Sequence, residues 1–263
     1  MIDEIRCSRQ AEKLRARFGK SNLEPVDPFA LAAMVPRLTI VLYPLGNSLS
    51  GLCVRDDRYS LIAVNSRHTL GRQNFTLAHE MHHLFFDTDM RSIICPAGET
   101  KDPLEQTADF FASRFLLPEA ALDSWLRTLV PEAFSGNMLA APSFVNLDDA
   151  AVLHILLETE RRFGISRRAS LVRFVEAGAL EAERSDQFKD QVKRNARKNG
   201  YPLALYEPRR GSDMKRVSGD YIELIGLLLG ESKISEALAA QLLSDGFRSD
   251  IAIIDLKDDD CEA

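Results

Sequence analysis

The segment from Thr69 to Asp87 constrains the fold of this chain more than any other. It reads TLGRQNFTLAHEMHHLFFD, and its apolar residues recur at the spacing of an amphipathic helix. His79 and His83 lie four residues apart, so on a helix both rings project from one face. The segment therefore predicts a helix that offers two imidazoles to one point, and the rest of the domain has to fold around that point.

His79, Glu80 and His83 form the pattern H-E-x-x-H. In this pattern two imidazole nitrogens hold one zinc ion, and the glutamate reaches a water molecule rather than the metal. Zinc lowers the pKa of the water, and the glutamate takes its proton and passes it to the leaving amine. We therefore predict His79 and His83 as metal ligands and Glu80 as the catalytic base. The alternative is a surface helix with solvated imidazoles.

A catalytic zinc site needs a third protein ligand and keeps one position open. The sequence offers two candidates for that ligand. Glu105 lies in LEQTADFFASRFLLP, a second predicted helix that can bring a carboxylate to the first. Asp89 follows His83 by six residues. A ligand at that spacing needs a glycine after the helix to turn the chain sharply towards the metal, and this chain has Phe86 where that glycine would be. The missing glycine favours Glu105.

Several further residues are candidates for supporting roles at this site. Asp109 follows Glu105 by one helical turn and could accept the free ring N–H of a zinc-binding histidine. Alternatively, its negative charge could simply interact favourably with the helix dipole. His82 and Tyr59 are candidates for transition-state support, and His82 has packing or solvent exposure as alternatives. Cys95 could occupy the open zinc position as an inhibitory thiolate, or it could be an ordinary loop cysteine.

Composition bounds the class of protein. With 263 residues and 45% hydrophobic content, the chain can bury a core and form one large domain or two small ones. It has no apolar run long enough to span a membrane, and its charged N-terminus differs from a signal peptide, so we expect a cytoplasmic protein. The four cysteines form no C-x-x-C pair, and the net charge of -6 argues against a surface that binds nucleic acid throughout.

The order of predicted elements indicates an α+β fold. Three β-rich runs precede the histidine helix and suggest a small antiparallel meander: 39–45, 49–55 and 59–65. The remaining periodic segments predict helices: 2–19, 27–34, 69–87, 104–117, 118–126, 147–162, 167–182 and most of 218–246. Strands around 52–55 or 61–64 could offer an edge on which an extended substrate pairs. Proline, glycine and asparagine in 128–146 indicate a linker.

The segment FTLAHEMHH, preceded by LIAVNSRHTLGRQ and followed by EQTADFFASRFLLP, resembles the ImmA/IrrE family of bacterial zinc-dependent proteases. The residues that match the family pattern outside H-E-x-x-H are Asn65, Arg72, Phe75, Thr76, Ala78, Glu105, Ala112, Leu116 and Pro118. One residue departs from the pattern, because the family usually has glycine where His82 stands. This histidine could crowd or polarise the site without removing a ligand.

The resemblance implies that His79, His83 and Glu105 hold Zn²⁺, with Mn²⁺ as an alternative, and that Glu80 is the base. It implies a zincin-like metallopeptidase domain at 1–130, a helix-turn-helix-like segment at 147–182, and a mostly helical region with an acidic tail at 183–263. The implied function is an endopeptidase that cleaves a helix-turn-helix (Xre-type) repressor or antitoxin. Such cleavage would induce a stress-response or mobile-element regulon.

Two other classes of function stay open from the sequence. One is a non-enzymatic metal-binding regulator that docks a transcription factor, although a purely structural zinc site has no use for Glu80. The other is a DNA-binding protein that uses Arg167, Arg168 and Arg173 of the helix-turn-helix-like segment. The basic stretch 188–216, with interleaved Tyr201 and Tyr206, could meet an acidic partner or nucleic acid, or form a solvated face.

Overall fold

The computed structural model describes residues 3–87, 89, 91–98, 102–134, 140–248 and 251. In this part of the chain a five-stranded mixed sheet combines with helices, so the predicted α+β fold is confirmed. None of the described helices has both the length and the apolar character needed to cross a bilayer. The predicted acidic tail lies outside the described residues.

The strands are β1 (Leu38–Tyr43), β2 (Leu49–Arg55), β3 (Ser60–Asn65), β4 (Ser92–Pro96) and β5 (Arg216–Gly219). The helices are α1 (Glu4–Arg17), α2 (Pro28–Ala33), α3 (Leu70–Phe86), α4 (Pro103–Leu116), α5 (Glu119–Leu129), α6 (Asp149–Phe163), α7 (Arg167–Glu176), α8 (Ala182–Ser185), α9 (Val192–Lys198), α10 (Asp220–Gly230) and α11 (Glu236–Asp245). The sequence had predicted neither β4 nor β5 as strands.

The sheet has the strand order β4-β2-β3-β1-β5. The predicted antiparallel pairing is present between β2 and β3, but the prediction of a three-stranded meander is wrong for β1. β1 lies parallel to β3, on the side away from β2, with Leu42 opposite Val64. β3 takes the interior position between β1 and β2 because it is an apolar run whose second half is buried on both faces, as an interior strand requires.

The prediction that β2 or β3 presents a free edge to a substrate is also wrong. Both strands are paired on each side, and the sheet edges are β4 and β5. β5 covers β1 through Gly219, whose φ of 83° and close approach to the Leu38 carbonyl leave no room for a side chain. The edge strand on the other side of the sheet is therefore β4.

Helix α3 packs on β2 and β3, and α4 packs against α3, which brings the polar faces of the two helices together. Leu77 and Met81 of α3 are completely buried, and Phe111 of α4 is buried beside them in the same core. α4 begins where Asp102 accepts a hydrogen bond from the Leu104 N–H, at 2.9 Å. This packing sets the distance between the side chains that α3 and α4 direct into the groove.

One hydrophobic core runs from α1 to the segment after α8, and it includes residues on both sides of the predicted linker at 128–146. A second, small core joins α10 and α11. The division of the chain at 130, 147 and 183 stays a prediction.

The turn between α6 and α7 attaches to the start of α3. α6 ends at Gly164 in the left-handed conformation, with φ of 64°, and the Ser166 side chain caps α7. A Cβ at Gly71 of α3 would lie 3.0 Å from the backbone of Ile165, so the two segments are in close contact. α7 ends at Glu176, earlier than the predicted 182. This contact places α7 beside the polar groove of α3 and α4.

Candidate metal centre

Two side chains from α3 and one from α4 meet at a single point. The Nε2 atoms of His79 and His83 lie 3.0 Å apart. The carboxylate of Glu105 approaches both, with 3.4 Å from Oε2 to His79 Nε2 and 3.5 Å from Oε1 to His83 Nε2. All three residues are buried. The four-residue spacing on α3 and the packing of α4 across it produce this arrangement.

The two nitrogen–oxygen separations fit the edges of a tetrahedral zinc site, and the nitrogen–nitrogen separation of 3.0 Å is somewhat shorter than such an edge. Zinc binds imidazole nitrogen and carboxylate oxygen at about 2.0–2.2 Å, which places neighbouring ligand atoms roughly 3.4 Å apart. Two nitrogens and one oxygen are also the ligand types that zinc takes in catalytic sites with three protein ligands. The residues present therefore fit the metal that the motif predicts.

Each of the two histidines has a carboxylate behind it. Asp109 Oδ1 lies 2.8 Å from Nδ1 of His79, and Asp87 Oδ2 lies 2.7 Å from Nδ1 of His83. A carboxylate at this position accepts the Nδ1–H, which directs the Nε2 lone pair towards the shared point. The sequence pattern indicated Asp109 as such a carboxylate but not Asp87. The signal was present, because Asp87 follows His83 by four residues and so lies one turn further along the same helix face.

Glu80 is completely buried, and among the described residues neither of its carboxylate oxygens has a hydrogen-bond partner. Burial raises the pKa of Glu80 to about 7, although the neighbouring His79 and the nearby Cys95 thiol favour the charged form. A carboxyl group without a partner is costly to bury. Its position therefore indicates a group kept available for chemistry rather than for stability.

The charges at the centre favour a cation. Burial alone would lower the pKa of His79, but hydrogen bonds to Asp109 and Glu105 raise it to about 10. Burial would raise the pKa of Glu105, but its hydrogen bonds to His79 and His83 bring it down to about 2. Without a metal, a proton on the imidazoles compensates the carboxylates around them. A divalent cation would supply that positive charge directly.

A fourth side chain that can bind metal reaches the same point. Cys95 of β4 is buried, and its Sγ lies 3.7 Å from Oε1 of Glu105. Ligand atoms of His79, His83, Cys95 and Glu105 all lie within 4.8 Å of one another. Burial and the carboxylates of Glu80 and Glu105 raise the pKa of this thiol far above its ordinary value. The pairing of β4 with β2 is what brings Cys95 here.

The other candidates from the sequence lie elsewhere. His82 packs against the rings of Phe86 and Phe111, and its Nδ1 lies 3.1 Å from Asp87 Oδ2, so it shares an anchor with His83. Tyr59 lies in the turn between β2 and β3, 48% exposed. Asp89 is exposed and outside the group of ligands.

A cavity of about 750 Å³ opens over the centre. His79, Glu80, Cys95 and Glu105 lie in its wall, and Arg72 and Phe75 of α3 extend that wall. The opposite wall belongs to α7, through Ser166, Arg168, Ala169, Val172 and Glu176. Neither His82 nor Tyr59 is among the lining residues.

Two of the three arginines considered for DNA binding are inside the protein. Arg167 is 3% exposed and pairs with Glu160, and it donates to the Phe188 carbonyl at 3.0 Å. Arg173 is 2% exposed and pairs with Glu176 at 2.8 Å. Arg168 is exposed and faces the cavity. DNA binding stays an untested prediction, and it would have to use other residues than Arg167 and Arg173.

The tyrosines of the basic stretch are tied to α6. The Tyr201 hydroxyl donates to Glu158 at 2.8 Å, and the Tyr206 hydroxyl donates to Glu160 at 2.8 Å. Arg209 donates to the Gln73 side chain of α3 at 3.1 Å. These contacts hold the stretch against α6 and α3 through its polar groups.

Residues 37–174 match the model of the peptidase M78 family, which describes an IrrE N-terminal-like domain. The match covers just over half of the chain and contains α3, α4 and every side chain at the centre. The chain belongs to this family. The resemblance to ImmA/IrrE proteins is thereby confirmed, and M78 is a family of metallopeptidases. None of the curated proteins matches the sequence of the chain. The match runs from just before β1 into α7 and so includes the residues of the opposite cavity wall except Glu176.

Replacing Asp109 by asparagine should weaken zinc binding by about 10- to 100-fold. Asparagine keeps the shape of the side chain but removes the charge that orients and polarises His79. Competition with a chelating dye measures the affinity. Asp123→Asn is the matched control, because Asp123 pairs with Arg127 on the surface of α5. Equal affinities of wild type and Asp109→Asn would contradict the role of this carboxylate.

Gly51→Ala should lower the free energy of unfolding by about 1–3 kcal/mol, as overpacked sites do. A Cβ at Gly51 would lie 2.5 Å from Glu80 Oε1, 2.7 Å from Thr76 Cγ2 and 2.9 Å from the Ala63 carbonyl. Urea denaturation measures the change. Gly46→Ala is the control, because its Cβ would meet nothing closer than the Ser48 hydroxyl at 4.0 Å. Equal stability of the two variants would show that Gly51 tolerates a side chain.

Proposed function

We propose that this chain is a zinc-dependent endopeptidase. The observation that carries the proposal is the buried carboxylate of Glu80, which has no hydrogen-bond partner among the described residues and faces the same cavity as His79 and Glu105. A structural zinc site does not need such a group, whereas peptide hydrolysis needs a base at this place. Membership in the M78 family supports the same activity.

In this mechanism His79, His83 and Glu105 would hold the ion, and Asp109 and Asp87 fix the two rings by accepting their Nδ1–H groups. A bound zinc ion supplies Lewis acidity, which acidifies water and polarises a carbonyl group. Glu80 takes a proton from the attacking water and gives it to the leaving amine. In the protein without a metal, burial raises the pKa of Glu80 to about 7, which is close to the pH at which a carboxyl group must both take and return a proton.

An extended peptide is the substrate shape that the cavity favours. The cavity runs between α3 and α4 on one side and α7 on the other, and β4 forms the sheet edge next to the centre. A peptide that pairs with the side of β4 away from β2, which has no strand partner in the described part of the chain, would gain main-chain hydrogen bonds and pass over the ligands. Phe75, Phe110 and Val172 offer apolar contacts along the way.

The substrate class follows from the resemblance to ImmA/IrrE proteins, whose members cleave helix-turn-helix repressors. We therefore propose an Xre-type repressor or an antitoxin as the protein substrate, in the cytoplasm. Its cleavage would induce a stress-response or mobile-element regulon.

The test is to incubate the purified protein with zinc and a repressor-like protein encoded next to it. A single cut that disappears on addition of a chelator and returns with zinc is the expected result. Intact repressor after prolonged incubation of zinc-loaded protein, with several neighbouring candidates, would contradict the proposed substrate class. Cleavage of an unrelated unfolded protein would then show that the chain is a peptidase with a different substrate. No cleavage of that protein would show that the peptidase activity itself is absent.

One observation favours a second candidate, a metal-binding regulator without catalysis. Cys95 lies close enough to make a fourth protein ligand, and four protein ligands are typical of structural zinc sites. In that case Glu80 would have no function, and its replacement would leave the biological activity unchanged. The role of Cys95 therefore decides between a permanently closed site and one that can open.

A further inference from the structure

We propose that Cys95 is a fourth ligand of the ion and that this peptidase rests in a closed state, which displacement of β4 opens. The inference rests on the proposed zinc-dependent function. It adds a ligand outside the H-E-x-x-H pattern and the α4 glutamate, and it predicts a latent enzyme rather than a constantly active one.

The first support is geometry. In a tetrahedral zinc site a sulfur at about 2.3 Å and an oxygen at about 2.1 Å lie roughly 3.6 Å apart. The separation of Cys95 Sγ from Glu105 Oε1 is 3.7 Å. The ligand atoms of Cys95 and the other three residues all lie within 4.8 Å, and the exposed fraction of Cys95 is 1%. Two imidazoles, one carboxylate and one thiolate form a donor set that zinc accepts.

The second support is the position of the thiol relative to the base. In the strand pairing, Cys95 lies opposite Gly51. A Cβ at Gly51 would collide with Oε1 of Glu80, so Gly51 marks the place where β2 passes the base. Cys95 and Glu80 both line the cavity. The sulfur therefore lies where water would have to stand between the base and the ion.

The third support is that Cys95 is the ligand most easily withdrawn. His79, His83 and Glu105 lie on helices that are packed into the main core. Cys95 lies on β4, an edge strand that pairs only with β2 in the described part of the sheet, with an irregular register between Leu49 and Gly51. β4 can shift without moving the three other ligands. The sheet edge on which we propose that the substrate pairs is also β4.

Opening requires no oxidant or reductant. The bond between Sγ and the ion breaks, the sulfur takes up one proton from solvent, and water gains access to Glu80. Closing releases that proton again, because only the thiolate binds metal. A peptide that pairs with β4 and pulls it outward would thus open the site and fill the cavity in one event.

The test uses the full-length protein loaded with cobalt, which reports a sulfur ligand by a charge-transfer band in the near ultraviolet. We expect this band in the wild type and its loss in Cys95→Ala, with the visible cobalt bands retained. Cys7→Ala is the matched control, because it removes another buried thiol, in α1. An unchanged near-ultraviolet band in Cys95→Ala would overturn the inference. Absence of all cobalt bands from the wild type would instead overturn the proposed metal-dependent function.

A second measurement tests latency. With zinc bound, Cys95→Ala should cleave a peptide substrate at least about tenfold faster than the wild type, and its metal affinity should be lower. Cys95→Ser serves as the conservative variant if alanine destabilises β4, and circular dichroism verifies that each variant is folded. Equal cleavage rates for wild type and a folded Cys95 variant would show that the site is not held closed by this thiol.

Discussion

Glu80→Gln should lower the rate of peptide cleavage by about 10²- to 10⁴-fold while leaving zinc bound. Glutamine keeps the size of the side chain but cannot take the proton of the attacking water or return it to the leaving amine. The ligands His79, His83 and Glu105 are untouched by this change. The expected result is thus an inactive protein with a complete metal site.

The measurement has two parts, cleavage rate and zinc content by elemental analysis. Glu119→Gln is the control, because Glu119 lies exposed at the start of α5 and should leave both quantities unchanged. Full cleavage by Glu80→Gln would rule out Glu80 as the base. Loss of zinc together with activity would mean that the variant disturbs the metal site, and Glu80→Asp would then show whether a carboxyl group is needed at all.

Glu105→Ala should weaken zinc binding by at least about 10²-fold. Losing a carboxylate that only supports a ligand typically costs 10- to 100-fold in affinity, so losing the ligand itself should cost at least as much. The structure places both oxygens of Glu105 within 3.5 Å of a ring nitrogen. Two imidazoles and Cys95 would remain, so the ion would lose one of its protein ligands.

Asp89→Ala is the matched test, because the sequence had also offered Asp89 as the third ligand. It lies exposed outside the ligand group, so its removal should leave zinc affinity unchanged. Chelator competition on both variants gives the comparison. Normal affinity in Glu105→Ala together with weak binding in Asp89→Ala would reverse the assignment and would require a different arrangement of α4.

The helices around the centre could be predicted because their signals are local. α3 extends over Leu70–Phe86 and α4 over Pro103–Leu116, close to the predicted 69–87 and 104–117. Apolar periodicity, Asp102 as cap and Pro118 as stop are all properties of neighbouring residues. The same is true of His79 and His83, since a four-residue spacing on a helix fixes their relation whatever surrounds them.

The sheet was less predictable because strand partners are chosen over long distances. Adjacent runs of β-forming residues favour a simple meander, yet β1 pairs with β3 and the distant residues 216–219 pair with β1. Which strand becomes the interior one depends on how much of it the helices bury. The position of β4, and with it that of Cys95, follows from this same choice.

The sequence by itself determined the close pairing of His79 and His83, the glutamate between them and the helix that carries Glu105, since each depends on spacing within one helix. Only the tertiary structure decided that Glu105 rather than Asp89 reaches the pair, that Asp87 contacts His83, and that Cys95 lies close to the same three side chains. The physical reason is that these contacts join separate elements. Their distances are set by packing of α3 on α4 and of β4 on β2, which no local pattern encodes.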